Sequence, residues 1–372
     1  MTPSGKKRNY HLIYEDGLIS EITNRNIEIP DAEIIEAEDL YVCPGGIDIH
    51  IHGGGGRDFM EGSEEAFRAA VDAHLKHGTT SIFPTLSSSS VDMIMKAART
   101  CEKLTAEPGS PVMGLHLEGP YFNPKKAGAQ MHKYITPPIK EDYEMILEST
   151  GCIKRWDSAP ELPGTEEFGR CLMRHGVVAA IAHTCAEYVD VKRAFDAGYT
   201  HATHFFNAMS PAHNVGEFKH EGTIESVFAM PEMTVEMIGD GIHVPPVILK
   251  MTYLLKGVAN TALITDALAC SASSSEEAFD PRVIIEDGVC KLSDRSALAG
   301  SIATMDRLVK TAVLEAEIPF VDAIEMTSRT PARIMRIDDH KGSLVPGKDA
   351  DIVIYDKECN LHKVIQAGRV VE

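Results

Sequence analysis

The sequence predicts an α/β protein, a (β/α)8 TIM-like barrel joined to a small β-sandwich built from both chain termini. Three observations carry this. The centre of the chain alternates short apolar runs with amphipathic segments, eight times over roughly 300 residues, as a closed parallel barrel requires. The two ends are both β-rich and differ from the centre. Six of the eight central runs deliver a metal-binding or titratable group at their C-terminal end, the active face of such a barrel.

Residues 10–43 hold two β-rich pieces, YHLIYEDGLISEI and AEIIEAEDLYVCP, with a turn at Asp16-Gly17. Residues 343–372 read alike, with turns at Pro346-Gly347 and Ala367-Gly368 and alternating apolar residues such as Ile352, Ile354 and Val364. A lone hairpin is marginally stable, so the two ends are expected to pack together. This places the sandwich at 1–43 and 342–372 and the barrel at 44–341. The predicted barrel strands are GIDIHI (46–51), TTSIFPTL (79–86), VMGLHLE (112–118), IKRWDSAPE (153–161), VVAAIAH (177–183), YTHATHF (199–205), TVEMIGD (234–240) and TALITDA (261–267). Segments such as SEEAFRAAVDAHLKHG and AEYVDVKRAFDAG supply helices between them. An open doubly wound sheet is the alternative, but no GxGxxG or GxxxxGK[ST] supports its nucleotide-binding forms. The clusters Ser87–Ser90 and Ser273–Ser275 read as loops.

The 372 residues include 36 basic and 55 acidic side chains, a net charge of −19. That balance excludes general nucleic-acid or anionic-membrane binding and leaves room for one local positive pocket. A hydrophobic share of 44% supports a sizeable core rather than disorder. Eight cysteines without CxxC pairing point to free thiols in a reducing cytosol. The start MTPSGKKRNY has no apolar segment of a signal peptide, and no stretch is long and apolar enough to span a bilayer, so a cytoplasmic location is expected.

The chemistry concentrates at the strand ends. His50 and His52 are two apart, so on a strand both imidazoles point to one side and can reach one ion. Glu118 ends an apolar strand, where an unpaired carboxylate is costly. His183 and His204 end two further strands, and with Glu118 they form a His-His-carboxylate set suited to zinc or iron with an open position. Asp266 ends the last strand and can take a proton from an attacking water and pass it to a leaving amine. A helix N-cap is the bland reading for it, set aside because the other strands converge on the same face. His243 follows the seventh strand. His116 reads as a hydrogen-bonded core histidine, and His201 and His213 as a solvated strand start and a loop residue. His74 and His77, and the pairs Glu64-Glu65 and Glu276-Glu277, read as solvated faces. Cys185 follows His183 closely, but no base-and-orienter pattern makes it a nucleophile, and neither GxSxG nor HExxH occurs.

Together PGGIDIHIHG (44–53), HLEGPYFNPKKAGAQ (116–130), AHT (182–184), THFFNAM (203–209), GDGIHV (239–244), ITDA (264–267) and LAGSIATMD (298–306) resemble the N-acetylglucosamine-6-phosphate deacetylase family of the amidohydrolase superfamily. They follow that family's order across nearly the whole chain. The resemblance implies hydrolysis of an acetamide on an amino sugar, releasing acetate and a free amine. It assigns Glu118, His183 and His204 as primary metal ligands, His50 and His52 as a second-metal pair that only some members retain, and Asp266 as catalytic acid/base. His243 would polarise the carbonyl or hold the sugar, Asn207 and Ala208 would contact the phosphate, and Leu298 lies in a loop closing over the sugar. The implied cofactor is a divalent transition metal, one or two per chain, zinc or iron foremost. The implied assembly is a homodimer.

Two departures touch sugar-phosphate recognition. Where the family commonly carries an Arg-Glu-Pro-Gly stretch, this chain reads KHEG (219–222), so Lys219 or His220 would meet the phosphate without arginine's bidentate fork. Gln130 stands where a histidine is common. The open alternatives are a deacetylase of N-acetylgalactosamine 6-phosphate or an unphosphorylated sugar, another amidase of the superfamily, and a silent barrel acting as a binding protein. Amidases that bridge two metals with a modified lysine are disfavoured, because the matching strand end is Glu118. The silent barrel is disfavoured because no ligand and no Asp266 is missing.

Overall fold

The computed structural model describes residues 5–25, 28–274 and 278–372. Its centre is an eight-stranded parallel sheet: β1 (Gly46–Ile51), β2 (Thr79–Leu86), β3 (Leu115–Tyr121), β4 (Ile153–Ser158), β5 (Val178–Ile181), β6 (Tyr199–Ala202), β7 (Thr234–Ile238) and β8 (Thr261–Ile264). Neighbours in space are neighbours in sequence. The two edges meet as well. Asp266 N–H donates to His50 O at 3.0 Å, and His52 N–H donates to Ala267 O at 2.9 Å, so a barrel forms. The helices are α1 (Glu64–Leu75), α2 (Val91–Thr105), α3 (Lys140–Ser149), α4 (Thr165–Arg174), α5 (Tyr188–Asp196), α6 (Thr223–Phe228), α7 (Pro246–Lys256) and α8 (Met305–Lys310), followed by Phe320–Thr327 and Arg329–Ile334. Ser63 and Ser90 cap α1 and α2, accepting from Ala66 N–H and Met93 N–H. Helix α2 buries Ile94, Ala97, Ala98, Cys101 and Leu104, one stripe at helical spacing.

All eight predicted strands are present, with instructive differences at their ends. Strand β3 starts at Leu115 rather than at 112. Gly114 has φ 138°, and a Cβ there would lie 2.8 Å from Cys152 O, so the chain turns before the strand begins. Strands β5, β6 and β8 stop two residues short of His183, His204 and Asp266. Those three residues have φ of 45°, 27° and 47°, a left-handed backbone that a strand cannot contain.

At the termini, strands His11–Glu15 and Leu18–Thr23 pair around the Asp16-Gly17 turn. Tyr41–Pro44, Ile352–Tyr355, Leu361–Gln366 and Arg369–Val370 form a four-stranded antiparallel sheet. Ile19, Ile352, Ile354 and Ile365 share one buried cluster, so the two ends pack together. Only the end of the second N-terminal piece is strand, and Ile34 within it is exposed. Three hairpins among the described residues lie outside the expectation, Gly53–Gly54 with Arg57–Asp58, His213–Val215 with Phe218–His220 and Val283–Glu286 with Val289–Leu292. The eight cysteines are free thiols. No described helix is long and apolar enough to cross a membrane.

Two histidine readings need correction. His74 is fully buried and bonds Gly53 O through Nε2 at 3.0 Å, because α1 lies over the glycine run after β1. His201 is also fully buried, between Thr234 and Glu236. His77 is partly exposed beside Asp306, and His213 is exposed. His116 is buried and bonded, to Thr85 and Asp157. Glu64 and Glu65 lie in the first turn of α1. Ser275, Glu276 and Glu277 lie outside the described residues.

Candidate metal centre

The C-terminal mouth of the barrel brings together six side chains. Glu118 Oε1 lies 3.0 Å from both His183 Nε2 and His204 Nε2, which are 3.1 Å from each other. Glu118 Oε2 lies 3.3 Å from His52 Nε2. Asp266 Oδ1 lies 3.3 Å from His52 Nε2 and 3.5 Å from His50 Nε2. Two groups of potential metal ligands result, Glu118-His183-His204 and His50-His52-Glu118, sharing one carboxylate. All six residues are buried.

The outer contacts of the rings fix which nitrogen faces the mouth. His183 Nδ1 donates to Lys126 O at 2.7 Å, so its lone pair sits on Nε2. His50 Nδ1 donates to Glu236 Oε1 at 2.8 Å, and its buried Nε2 has no hydrogen-bond partner while facing two carboxylates. Imidazole lone pairs and carboxylate oxygens converging in a buried space repel one another unless a cation joins them. The mixed nitrogen and oxygen donor set fits a transition metal. Burial works against charge on Glu118, but its close contacts with His183, His204 and His52 outweigh it and hold the carboxyl well below its ordinary range. Burial lowers the basicity of His204, and its hydrogen bond to Glu118 more than reverses this, pushing it up to about 9. Burial opposes ionisation of Asp266, and the neighbouring His50 and His52 still bring its carboxyl below the usual value. The mouth therefore attracts positive charge to one spot.

The left-handed conformation of His183, His204 and Asp266 costs about 1–3 kcal/mol each, the kind of strain that marks functional sites. It turns each side chain out of its strand direction and into the mouth. Phe206 and Ala208, with φ of 81° and 51°, continue the same irregular path after β6.

Beneath the mouth the barrel interior is polar. Arg155 is fully buried and bonds Asp157, Thr203, Ile49 O and both oxygens of Glu236. Burial alone would neutralise Glu236, but Arg155, His201 and His50 keep it well below the ordinary carboxylate range. Asp48 bonds Thr265, and burial pushes it up to about 7. Sequence reasoning missed Arg155, Asp157 and Glu236. For Glu236 the signal was available, since in TVEMI it interrupts an apolar strand just as Glu118 does.

The remaining predicted residues spread more widely. His243 Nδ1 bonds Asp240 Oδ2 at 2.7 Å, leaving a buried Nε2 without a partner. Gln130 is buried and spans the mouth, donating to Glu118 Oε2 at 2.7 Å and accepting from Ser88 N–H at 2.8 Å. Asn207 has a buried side-chain nitrogen without a partner, and Ala208 O accepts from Thr184 N–H. Leu298 is exposed. Lys219 and His220 sit on the exposed hairpin, and among the described residues neither side chain bonds a mouth residue.

A sequence profile of the amidohydrolase family matches residues 41–371. The chain is 32% identical over 371 residues to an N-acetylglucosamine-6-phosphate deacetylase of Bacillus subtilis (strain 168), covering 98% of this chain and 93% of that one. It is 28% identical to an N-acetylgalactosamine-6-phosphate deacetylase of Escherichia coli O157:H7, covering 100% and 97%. The crystal structure of N-acetylglucosamine-6-phosphate deacetylase from Pasteurella multocida superposes with a TM-score of 0.93 at 27% identity, over 99% of this chain and 96% of that one.

Proposed function

The chain belongs to the amidohydrolase family, and from that premise we infer that it hydrolyses the acetamide of N-acetylglucosamine 6-phosphate to glucosamine 6-phosphate and acetate. The observation that carries this is Glu118 shared between two imidazole pairs, with Asp266 beside them at the barrel mouth.

Glu118, His183 and His204 would hold one divalent transition ion, zinc or iron, and His50 and His52 with Glu118 a second. Such an ion supplies Lewis acidity to the amide carbonyl and acidifies the attacking water. Asp266 takes the water's proton and delivers it to the amide nitrogen, because an unprotonated amide anion is a poor leaving group. Asp240 fixes the ring of His243 through Nδ1, and its Nε2 is assigned to the carbonyl oxygen or a sugar hydroxyl. Asn207 and Ala208, with Lys219 and His220 from the hairpin, are assigned to the phosphate, and Leu298 to the cover over the sugar. Gln130, expected to touch substrate, is here also a bonded neighbour of Glu118. We assign residues 44–341 to the catalytic barrel, with 1–43 and 342–372 as the terminal sandwich, in a cytoplasmic homodimer.

The test is an acetate-release panel of N-acetylglucosamine 6-phosphate, N-acetylgalactosamine 6-phosphate and both unphosphorylated sugars, run with elemental analysis of the protein. N-acetylglucosamine 6-phosphate should be turned over with the highest kcat/KM by protein carrying one or two transition ions. Faster turnover of another sugar overturns the substrate, and an active protein without a metal overturns the chemistry.

A further inference from the structure

Glu236 is a buried acid that no step above uses. We propose that it is a positioning residue joining the two ligand groups, setting His50 for cation binding while fixing the backbone of His204. This rests on the metal-dependent reading above. Glu236 lies on β7, fully buried. Its Oε1 accepts both the Nδ1–H of His50 at 2.8 Å and the backbone N–H of His204 at 3.2 Å. One oxygen thus serves a histidine from each group. Its Oε2 faces His201 Nε2 at 3.2 Å, and Arg155 grips both oxygens, so the carboxylate is held against rotation.

The chemistry follows from the acceptor. An ionised carboxylate only accepts, so the His50 proton stays on Nδ1 and the Nε2 lone pair is presented toward Glu118 and Asp266. At His204, whose φ is 27°, a side-chain acceptor satisfies a backbone N–H that has left the strand ladder. Asp157 provides an internal control. It belongs to the same buried network, bonding Arg155, His116 and Thr203, yet bonds no residue of either ligand group.

The experiment compares Glu236→Gln and Asp157→Asn in the full-length protein. Zinc is titrated into chelator-stripped protein against a chromophoric chelator, and urea stability is measured in parallel. Both variants should lose stability, but only Glu236→Gln should lose zinc affinity, by about 10- to 100-fold. If that variant does not fold, Arg155→Lys keeps the charge and loosens the grip on Glu236, and it should weaken zinc binding more than Asp157→Asn does. Zinc affinity in Glu236→Gln within about twofold of the parent, or an equal loss in Asp157→Asn, overturns the proposal. A parent protein that takes up no zinc, iron, manganese or cobalt overturns the metal reading itself, a separate result.

Discussion

The barrel mouth and the hairpin at residues 213–220 would share one substrate, yet they are built in opposite ways. In the mouth every proposed ligand is buried, the rings of His50, His52 and His183 are bonded through their far sides, and His183, His204 and Asp266 are held in a left-handed backbone. The hairpin has two three-residue strands, with Val215 and Phe218 more than half exposed. The reaction is thus written in groups fixed by the whole barrel. Phosphate recognition is assigned to a locally folded piece that can change sequence without disturbing the fold. That explains how KHEG can replace the family's usual stretch while the five proposed ligands and Asp266 remain.

Replacing Asp266 by Asn would break the mouth's side of this contrast most severely. Acetate release should fall by about 10²–10⁴-fold while metal content stays near normal. Turnover near that of the parent removes Asp266 from the chemistry.

The next largest effect concerns stability behind the mouth. Burial pushes His74 down to about 4 from 6.5. The folded protein keeps it neutral, while the unfolded chain binds a proton below 6.5. Stability from this group is therefore present above 6.5 and lost as pH falls toward 4, by roughly 3 kcal/mol in all. Asp48 works the other way, so parent and variant must be compared. Urea unfolding of His74→Gln should show a shallower fall across that window, and parallel slopes would rule the linkage out.

On the hairpin, Lys219→Ala with His220→Ala should raise KM for the phosphorylated sugar by about tenfold, leaving kcat and the KM of the unphosphorylated sugar unchanged. An unchanged KM would place phosphate recognition elsewhere. The smallest effect sharpens the contrast from the other side. Phe218→Ser should shift unfolding stability by no more than about 0.5 kcal/mol, because the side chain is exposed, and a larger loss would show the hairpin to be part of the core.

Much of this was legible before the structure. The strands were readable because most are apolar runs bounded by glycine or polar residues, and the metal groups because their residues end those runs. What could not be read was direction. IKRWDS announces a strand, but not that Arg155 and Asp157 turn inward to meet Glu236 from a strand far away in sequence. His74 and His201 have polar names and helical or strand-start positions, so local pattern marks them exposed. Only the close approach of α1 to the glycine run, and of β7 to β6, buries them. The hairpin at 213–220 escaped notice because short exposed strands leave almost no apolar alternation to detect, and the one at 283–292 because four-residue strands are too short to show a period.

The seam between β1 and β8 has a consequence for how the molecule is made. Asp48 bonds Thr265 across a sequence separation of 217 residues, and Asp266 bonds back to His50 at the same seam. Contacts between such distant residues form late, after the intervening chain has been ordered. During synthesis the N-terminal histidine pair therefore waits, without its aspartate, until the last barrel strand has emerged. An ion held by His50, His52 and Glu118 would then act as a latch on a barrel that has already closed, stabilising it to the extent that it binds the native form and not the unfolded chain.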